Sequence, residues 1–272
     1  GFFPMSNERK SGFIIPSSGE EVVKGFFLRD GGYYLSFKDY ADLAITGGIY
    51  TMGSWEADIA SRYAKRYKYR GSFDVRFSKD IIGEKEDADY INQNNFKVTW
   101  SHQQDPKFRP NTTFSASVNF STSGYSKYGA QNMNDYSSIS YSHNWSKVSL
   151  STNLQHSQNS RDSTVQLSFP NIVLSVSRIN PFQRKDAVGK QRWYEKISLQ
   201  YTGTLGNTVN VKEKDLFTEK MFKSMRNGIN HQIPVQTSFN LFKYFNINPS
   251  FNYQERWYFQ KVDKSGIRWR SR

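Results

Sequence analysis

The side chains with the plainest chemical potential are four histidines, one acidic run and an excess of cations. His102, His143, His156 and His231 are scattered, and neither an HExxH motif nor any other pair at metal-ligand spacing joins them. His102, His143 and His156 share parity with apolar neighbours near the ends of alternating segments. They read as interfacial side chains rather than ligands. The run "GEKEDAD" places Glu84, Glu86, Asp87 and Asp89 close together, enough oxygen to gather a divalent cation. It lacks the EF-hand pattern and reads as a solvated loop. No P-loop, GxGxxG or nucleophile elbow is present, and without cysteine neither thiolate metal sites nor disulfides can form. The sequence therefore predicts no enzyme, no cofactor and no metal centre.

The cations imply a partner. Lys and Arg number 37 against 24 Asp and Glu, a net charge of +13. Such a chain favours nucleic acid, anionic lipid or a polyanionic glycan. Nucleic acid is disfavoured, because the arginines of the alternating segments interleave with acids and no RNP-type aromatic motif or basic helix appears.

The elements that carry these residues alternate. In "TTFSASVNFSTS", residues 112–123, Phe114, Ala116, Val118 and Phe120 take one parity and Ser, Thr and Asn the other. "FDVRF", "NFKVTWS", "SSISYSHNW", "SKVSLSTNLQ" and "NINPSFNYQERWYF" repeat the pattern. A period of two is the signature of strands with one greasy and one wet face. Only 211–227 mixes types enough to hold a short helix within a loop. The rest reads as roughly a dozen strands, an all-β chain.

Two features decide what the greasy face meets. Many segments run to about 10 residues or more, the length of a tilted membrane-crossing strand, against 5 or 6 in soluble sheets. The opposite face is crowded with Ser, Thr, Asn and Gln, with isolated ions such as Asp58, Arg62, Asp74, Arg76, Lys97, Lys147 and Arg256. That suits a confined, hydrated lumen. Tyr33, Tyr34, Trp55, Tyr63, Trp100, Trp145, Trp193, Tyr194, Trp257 and Tyr258 sit near segment ends, where interfacial girdles lie. No apolar run is long enough for a spanning helix, and the mean hydropathy of −0.73 is compatible with barrel strands that need only alternate apolar residues. The competing reading is a soluble, carbohydrate-binding β-sandwich, whose strands also alternate. The pattern favours an antiparallel transmembrane β-barrel. The opening "GFFPMSNERK" shows neither initiator Met nor signal peptide, and the chain reads as an excised piece of a longer protein.

"RKSGFIIP" followed by "GFFLRDGGYYLSFKDYADLAITGGIYTMGSWEADIASRY" resembles the junction between the periplasmic jelly roll and first barrel strands of the LptD family, the outer-membrane lipopolysaccharide-assembly translocons. "FKVTWSHQQDPKFRPNTTFSASVNFSTSGYSKY", "HSQNSRDSTVQLSFPNIVLSVSRINPF" and "RNGINHQIPVQTSFNLFKYFNINPSFNYQERWY" also resemble family segments, so the resemblance covers nearly the whole chain. It implies that 1–18 end the jelly roll and 19–272 form the N-terminal part of a barrel of about 26 strands. Such a partial barrel would lie in the cell outer membrane among its lipids. It would take lipopolysaccharide from a periplasmic bridge protein, pass the saccharide through the lumen and release the acyl chains through a lateral gate. A plug lipoprotein fills many family barrels. The alternative is a passive porin or nutrient-uptake barrel, which would conduct solutes and need no such partners.

The resemblance gives two sets of residues a meaning. Family members thin the ladder of their first two strands with prolines; here Gly31-Gly32 and Gly47-Gly48 stand instead, weakening strands through chain entropy and absent cross-strand packing. They either ease the gate apart or mark a bulge or a close backbone approach. Arg62, Arg66, Arg76, Lys97, Lys147 and Arg256 share the polar parity of their segments. They either meet lipopolysaccharide phosphates and acidic sugars or pair with Glu56, Asp58 and Asp74. With entry from the periplasm, connections 81–95, 123–135 and 180–192 all fall on that side, where turns are normally short. Either the family departs from the general rule or one strand is miscounted.

Overall fold

The computed structural model describes residues 10–86, 90–122, 134–184, 189, 191–242, 244–262 and 269–271. Strands dominate, as the alternation predicts. β1 (Gly12–Ile14) and β2 (Ser17–Glu21) are short, and the long strands follow: β3 (Gly25–Phe37), β4 (Ala41–Tyr50), β5 (Trp55–Lys65), β6 (Tyr69–Ile82), β7 (Ile91–Gln104), β8 (Thr112–Ser121) and β9 (Asn134–Asn144). Then come β10 (Val148–Asn159), β11 (Thr164–Ile179), β12 (Ser198–Lys212), β13 (Arg226–Gln236), β14 (Phe239–Leu241), β15 (Phe245–Ile247), β16 (Ser250–Tyr258), β17 (Gln260–Val262) and β18 (Trp269–Ser271). The helix expected within 211–227 is present as α1 (Glu219–Ser224), preceded by a 3₁₀ turn at Glu213–Asp215. A second 3₁₀ turn spans Trp193–Lys196.

Strand neighbours follow chain order, β1-β3-β4-β5-β6-β7-β8-β9-β10-β11-β12-β13-β16, with β2 also on β3; β14–β15 and β17–β18 are separate pairs. This is nearly all antiparallel β, an open portion of a barrel. Two compact units divide it: Gly1–Pro110 with Phe114–Ile139 and His156–Val165, and Asn111–Thr113 with Ser140–Gln155 and Gln166–Arg272.

In the first unit the register turns one-residue alternation into two continuous faces. Ile45, Ile59, Val75, Val98 and Phe120 are successive cross-strand partners, an apolar row through β4 to β8. Thr46, Asp58, Arg76, Lys97 and Ser121 form the neighbouring polar row. Burial is inverted relative to a soluble core. Ile45 (47% exposed), Ile49 (64%) and Phe77 (47%) are open, whereas Asp42, Asp58, Asn95 and Ser121 are buried. Phe114, Val118 and Val148 are only half-buried. The extensive contacts of each described strand are with its ladder neighbours. In the second unit α1 rests on β12, buries Met221 and places Met225 Sδ 3.8 Å from Asn207 Nδ2.

The ladder order bears on the glycines and on the connections. β1 and β2 pair with β3 from its free side, so Gly31-Gly32 occupy the second ladder position and Gly47-Gly48 the third. The connection after β6 is shorter than 81–95, because β6 runs to Ile82 and β7 starts at Ile91. Three strands, β9, β10 and β11, lie between connections 123–135 and 180–192. Residues 87–89 of the acidic run, 123–133, and Arg9 of the junction motif lie outside the described residues.

Candidate functional site

The edge of the first unit is locally thin. β1 ends with Ile14 opposite Gly32 and β2 begins with Ser17 opposite Arg29, so Ile15 and Pro16 leave Asp30 and Gly31 unbridged. Proline has no N–H to give a ladder. On the other side of β3 the register steps from Leu28–Ile49 to Gly31–Gly47, so Arg29 and Asp30 face Gly48 alone. Two residues against one is a β-bulge, and Asp30 bends through it at φ 62°.

The glycines are what let these backbones approach. A Cβ on Gly32 would lie 1.9 Å from the Ile45 carbonyl oxygen, on Gly31 2.8 Å from Pro16 Cβ, and on Gly48 2.9 Å from Arg29 Cβ. Gly47 differs, with 3.2 Å to the Glu56 carbonyl oxygen. The bulge and the close approach weighed from sequence are therefore both present. Pro16, Gly31, Gly47 and Gly48 border a shallow hollow of about 460 Å³.

The polar face is a hydrogen-bonded surface. Arg76 Nε pairs with the Asp58 carboxylate. Asp42 accepts the Arg62 backbone N–H at 2.9 Å and the Tyr34 hydroxyl at 3.3 Å. Asp80 collects Lys24 Nζ at 2.6 Å, Asn95 Nδ2 at 2.7 Å and the Ser78 hydroxyl at 3.1 Å. Burial acts to lower the pKa of Lys24, which lies in the β2–β3 turn, but the bond and charge of Asp80 outweigh it and the net shift is upward.

Of the six predicted cations, the fold brings two side by side. Arg76 and Lys97 are direct cross-strand partners, with Asp58 on the far side of Arg76. Like charges opposite one another are unfavourable unless an anion sits near, and Asp58 supplies a carboxylate beside Arg76. Arg62 is exposed on the same face of β5, opposite Ser72. Arg256 is exposed on β16, opposite Asn230. Arg66 and Lys147 are not on strands. Arg66 lies in turn 66–68, stacked 4.9 Å from the Tyr67 ring, and Lys147 lies in turn 145–147. Parity carried past a strand end has no meaning, because the turn breaks the pleat. Lys24, Asp42, Asp80 and Asn95 were not singled out from sequence; the polar parity of the three strand residues was visible, their partners were not.

The histidines face aromatic and hydroxyl neighbours. Nδ1 of His102 lies 2.9 Å from the Tyr63 hydroxyl, that of His143 2.7 Å from Thr112 Oγ1, that of His156 3.3 Å from Ser137 Oγ and that of His231 2.8 Å from the Tyr201 hydroxyl. Trp145 and Trp257 pack edge-on against His143 and His231 at 4.3 and 4.7 Å.

A family model described as LptD protein matches residues 1–271. No curated protein matches the chain.

Proposed function

The chain belongs to the LptD family, and from that premise we propose that β1 to β4 form one side of a lateral gate through which lipopolysaccharide acyl chains leave the lumen. The family serves lipopolysaccharide transport and assembly at the outer membrane, and an open antiparallel sheet with a bare apolar face fits that role. The observation that carries the gate reading is the interrupted ladder at one level of the sheet, with Pro16, the Asp30 bulge and the glycines at adjacent positions. A ladder missing bonds at one level parts there first, since each backbone bond contributes about 0.5–1.5 kcal/mol.

In this reading 1–18 make the junction with a periplasmic jelly roll, and 19–272 form the N-terminal part of the barrel. Arg62, Arg76, Lys97 and Arg256 line the water-filled side and meet phosphate or acidic sugar during passage, where restricted water strengthens Arg–phosphate bonds. A periplasmic bridge protein delivers the substrate, and a plug lipoprotein occupies the lumen.

Two substitutions in the full-length protein test the gate without blocking assembly. Pro16→Val returns an N–H to the edge, and Gly47→Val adds a strand-forming side chain where the backbone leaves most room. Both should slow lipopolysaccharide delivery to the cell surface while the barrel assembles normally. Unchanged delivery in both variants would discard the gate.

A further inference from the structure

We propose that turns 66–68 and 105–110 form a docking site for the phosphate headgroup of an anionic membrane lipid whose tails cover the adjoining apolar face. The site is cationic and aromatic together. Lys65 Nζ lies 5.7 Å from the Tyr40 ring, the Arg66 guanidinium 4.9 Å and Lys107 Nζ 5.9 Å from Tyr67, and Lys68 Nζ 5.2 Å and the Arg109 guanidinium 5.3 Å from Phe108. Rings hold these cations by their faces and leave their outer donors turned to solvent.

The two turns are built as one surface. The Asp105 backbone N–H donates to the Lys68 carbonyl at 2.8 Å, and Phe108 N–H to the Asp105 carbonyl at 3.0 Å. The Asp105 carboxylate, which also borders the site, accepts the Lys107 backbone N–H at 2.8 Å and organises the turn, one acid beside five cations. Among the described residues none of Lys65, Arg66, Lys68, Lys107 and Arg109 forms an ion pair. A hollow of about 440 Å³ opens between the turns, bordered by Lys65, Arg66, Tyr67 and Arg70.

Position selects a lipid over a free anion. Lys65 shares the face of Ile59 and Tyr63, and stands two residues beyond Tyr63 at the end of β5, about 7 Å further out. Tyr69 is the direct cross-strand partner of Lys65, and Tyr63, His102 and Trp100 form the aromatic cluster just inside. A headgroup held at Lys65 and Arg66 therefore sits at interface level, with its tails running down beside Tyr69, Phe73 and Ile59. A long basic side chain at this place reaches outward to the headgroup layer.

The proposal rests on the membrane reading and goes beyond the gate. The full-length protein is placed in nanodiscs of zwitterionic phospholipid doped with phosphatidylglycerol or with lipopolysaccharide, and bound lipid is read by native mass spectrometry. Lys65→Gln, Arg66→Gln, Lys68→Gln and Lys107→Gln are combined, with Lys85→Gln at another turn as control. The parent and the control should retain anionic lipid over zwitterionic lipid. Each neutralised side chain should weaken this by roughly fivefold, and added salt should weaken it in the parent. Retention unchanged in the combined variant, insensitive to salt, or abolished by inorganic phosphate at equal concentration would overturn the site. Failure of the parent to enter nanodiscs would instead remove the membrane reading. Lipopolysaccharide delivery measured in the same variants reports separately on the gate.

Discussion

The Tyr63 hydroxyl lies 2.9 Å from Nδ1 of His102, two strands away, and reaches it by crossing Gly71. Tyr63, Gly71 and His102 are successive cross-strand partners, and a Cβ on Gly71 would stand 2.3 Å from that hydroxyl. The same hydroxyl accepts the Trp100 indole N–H at 2.9 Å. The arrangement recurs in the second unit. Tyr201 bonds His231 at 2.8 Å, and a Cβ on Gly203 would stand 2.5 Å from its hydroxyl. In each case an aromatic ring covers a strand glycine and replaces the packing the glycine lacks.

Gly71→Ala should displace the Tyr63 ring, press on the Ser101 backbone carbonyl 2.5 Å away, break both hydroxyl contacts and cost about 3 kcal/mol or more, the upper end of overpacking. Tyr63→Phe keeps the ring and loses only hydrogen bonds, about 1 kcal/mol. Urea unfolding of the full-length protein in detergent micelles, with the double variant Gly71→Ala/Tyr63→Phe, checks the coupling. The two effects should not add, because the first substitution already removes what the second deletes.

The glycines at the edge should separate by geometry. Gly32→Ala brings a methyl carbon against the Ile45 carbonyl, which is backbone and cannot swing aside, so β3 and β4 must part. The variant should fail to assemble and be degraded. Gly47→Ala requires a shift of only a few tenths of an ångström and should assemble at parental levels. Surface abundance of the two proteins, measured side by side, decides it.

Those glycines also mark how far the sequence could be read. Strict alternation in "FDVRF" or "TTFSASVNF" fixed which residues share a face, because the pleat leaves no other choice. Register is another matter. That Asp58 meets Arg76, or that Gly71 lies under Tyr63, depends on turn lengths and on a bulge, and no single strand encodes them. The two glycine pairs were visible as weak points, yet their reasons lie elsewhere in the chain: Pro16 for Gly31, the Ile45 carbonyl for Gly32, the Glu56 carbonyl for Gly47 and the bulged Arg29 for Gly48. Residues 1–18 were read only as the end of a jelly roll, and β1 and β2 within and just beyond them are too short to show a period of their own. Arg66 and Lys147 were assigned a face by counting through turns, where the count fails.

Asp58→Ala should remove the carboxylate that Arg76 Nε meets on the polar face. The carboxylate is nearly buried and the arginine partly open, at 11% and 42% side-chain exposure. The loss should fall between an exposed pair and a buried one, about 1–2 kcal/mol. Arg76→Gln/Asp58→Asn, which removes both charges and keeps the shapes, should recover most of it. Unfolding midpoints of the single and paired variants make the comparison.

The connection between β11 and β12 should loosen in acid. Glu195 is buried there, and the bond from Arg184 followed by that from the Arg192 backbone N–H holds its carboxyl below the ordinary value of 4.5. A depressed acid stabilises the fold above its ordinary value, and that contribution disappears as pH falls through the folded value. Trp193 fluorescence should therefore hold steady at neutral pH and change below the ordinary carboxylate range. Glu195→Gln should give the altered signal at every pH and abolish the transition.

The deepest test concerns what covers Ile59. It stands in the row Ile45–Ile59–Val75–Val98 with 37% of its surface open, while Thr99, on the opposite face, lies between Asp74 and Asn119. If hydrocarbon covers the first face, an arginine at Ile59 should cost about 2–4 kcal/mol near the bilayer middle, and a lysine at Thr99 far less. A protein layer would also resist Ile59→Arg, so a second measurement is needed. The chain has no cysteine, so Ile59→Cys and Thr99→Cys each give one spin-label site within it. Oxygen, which concentrates in lipid tails, should relax the label at Ile59 more than a water-soluble nickel chelate does, and the order should reverse at Thr99. A label at Ile59 shielded from both reagents would mean that protein covers the face.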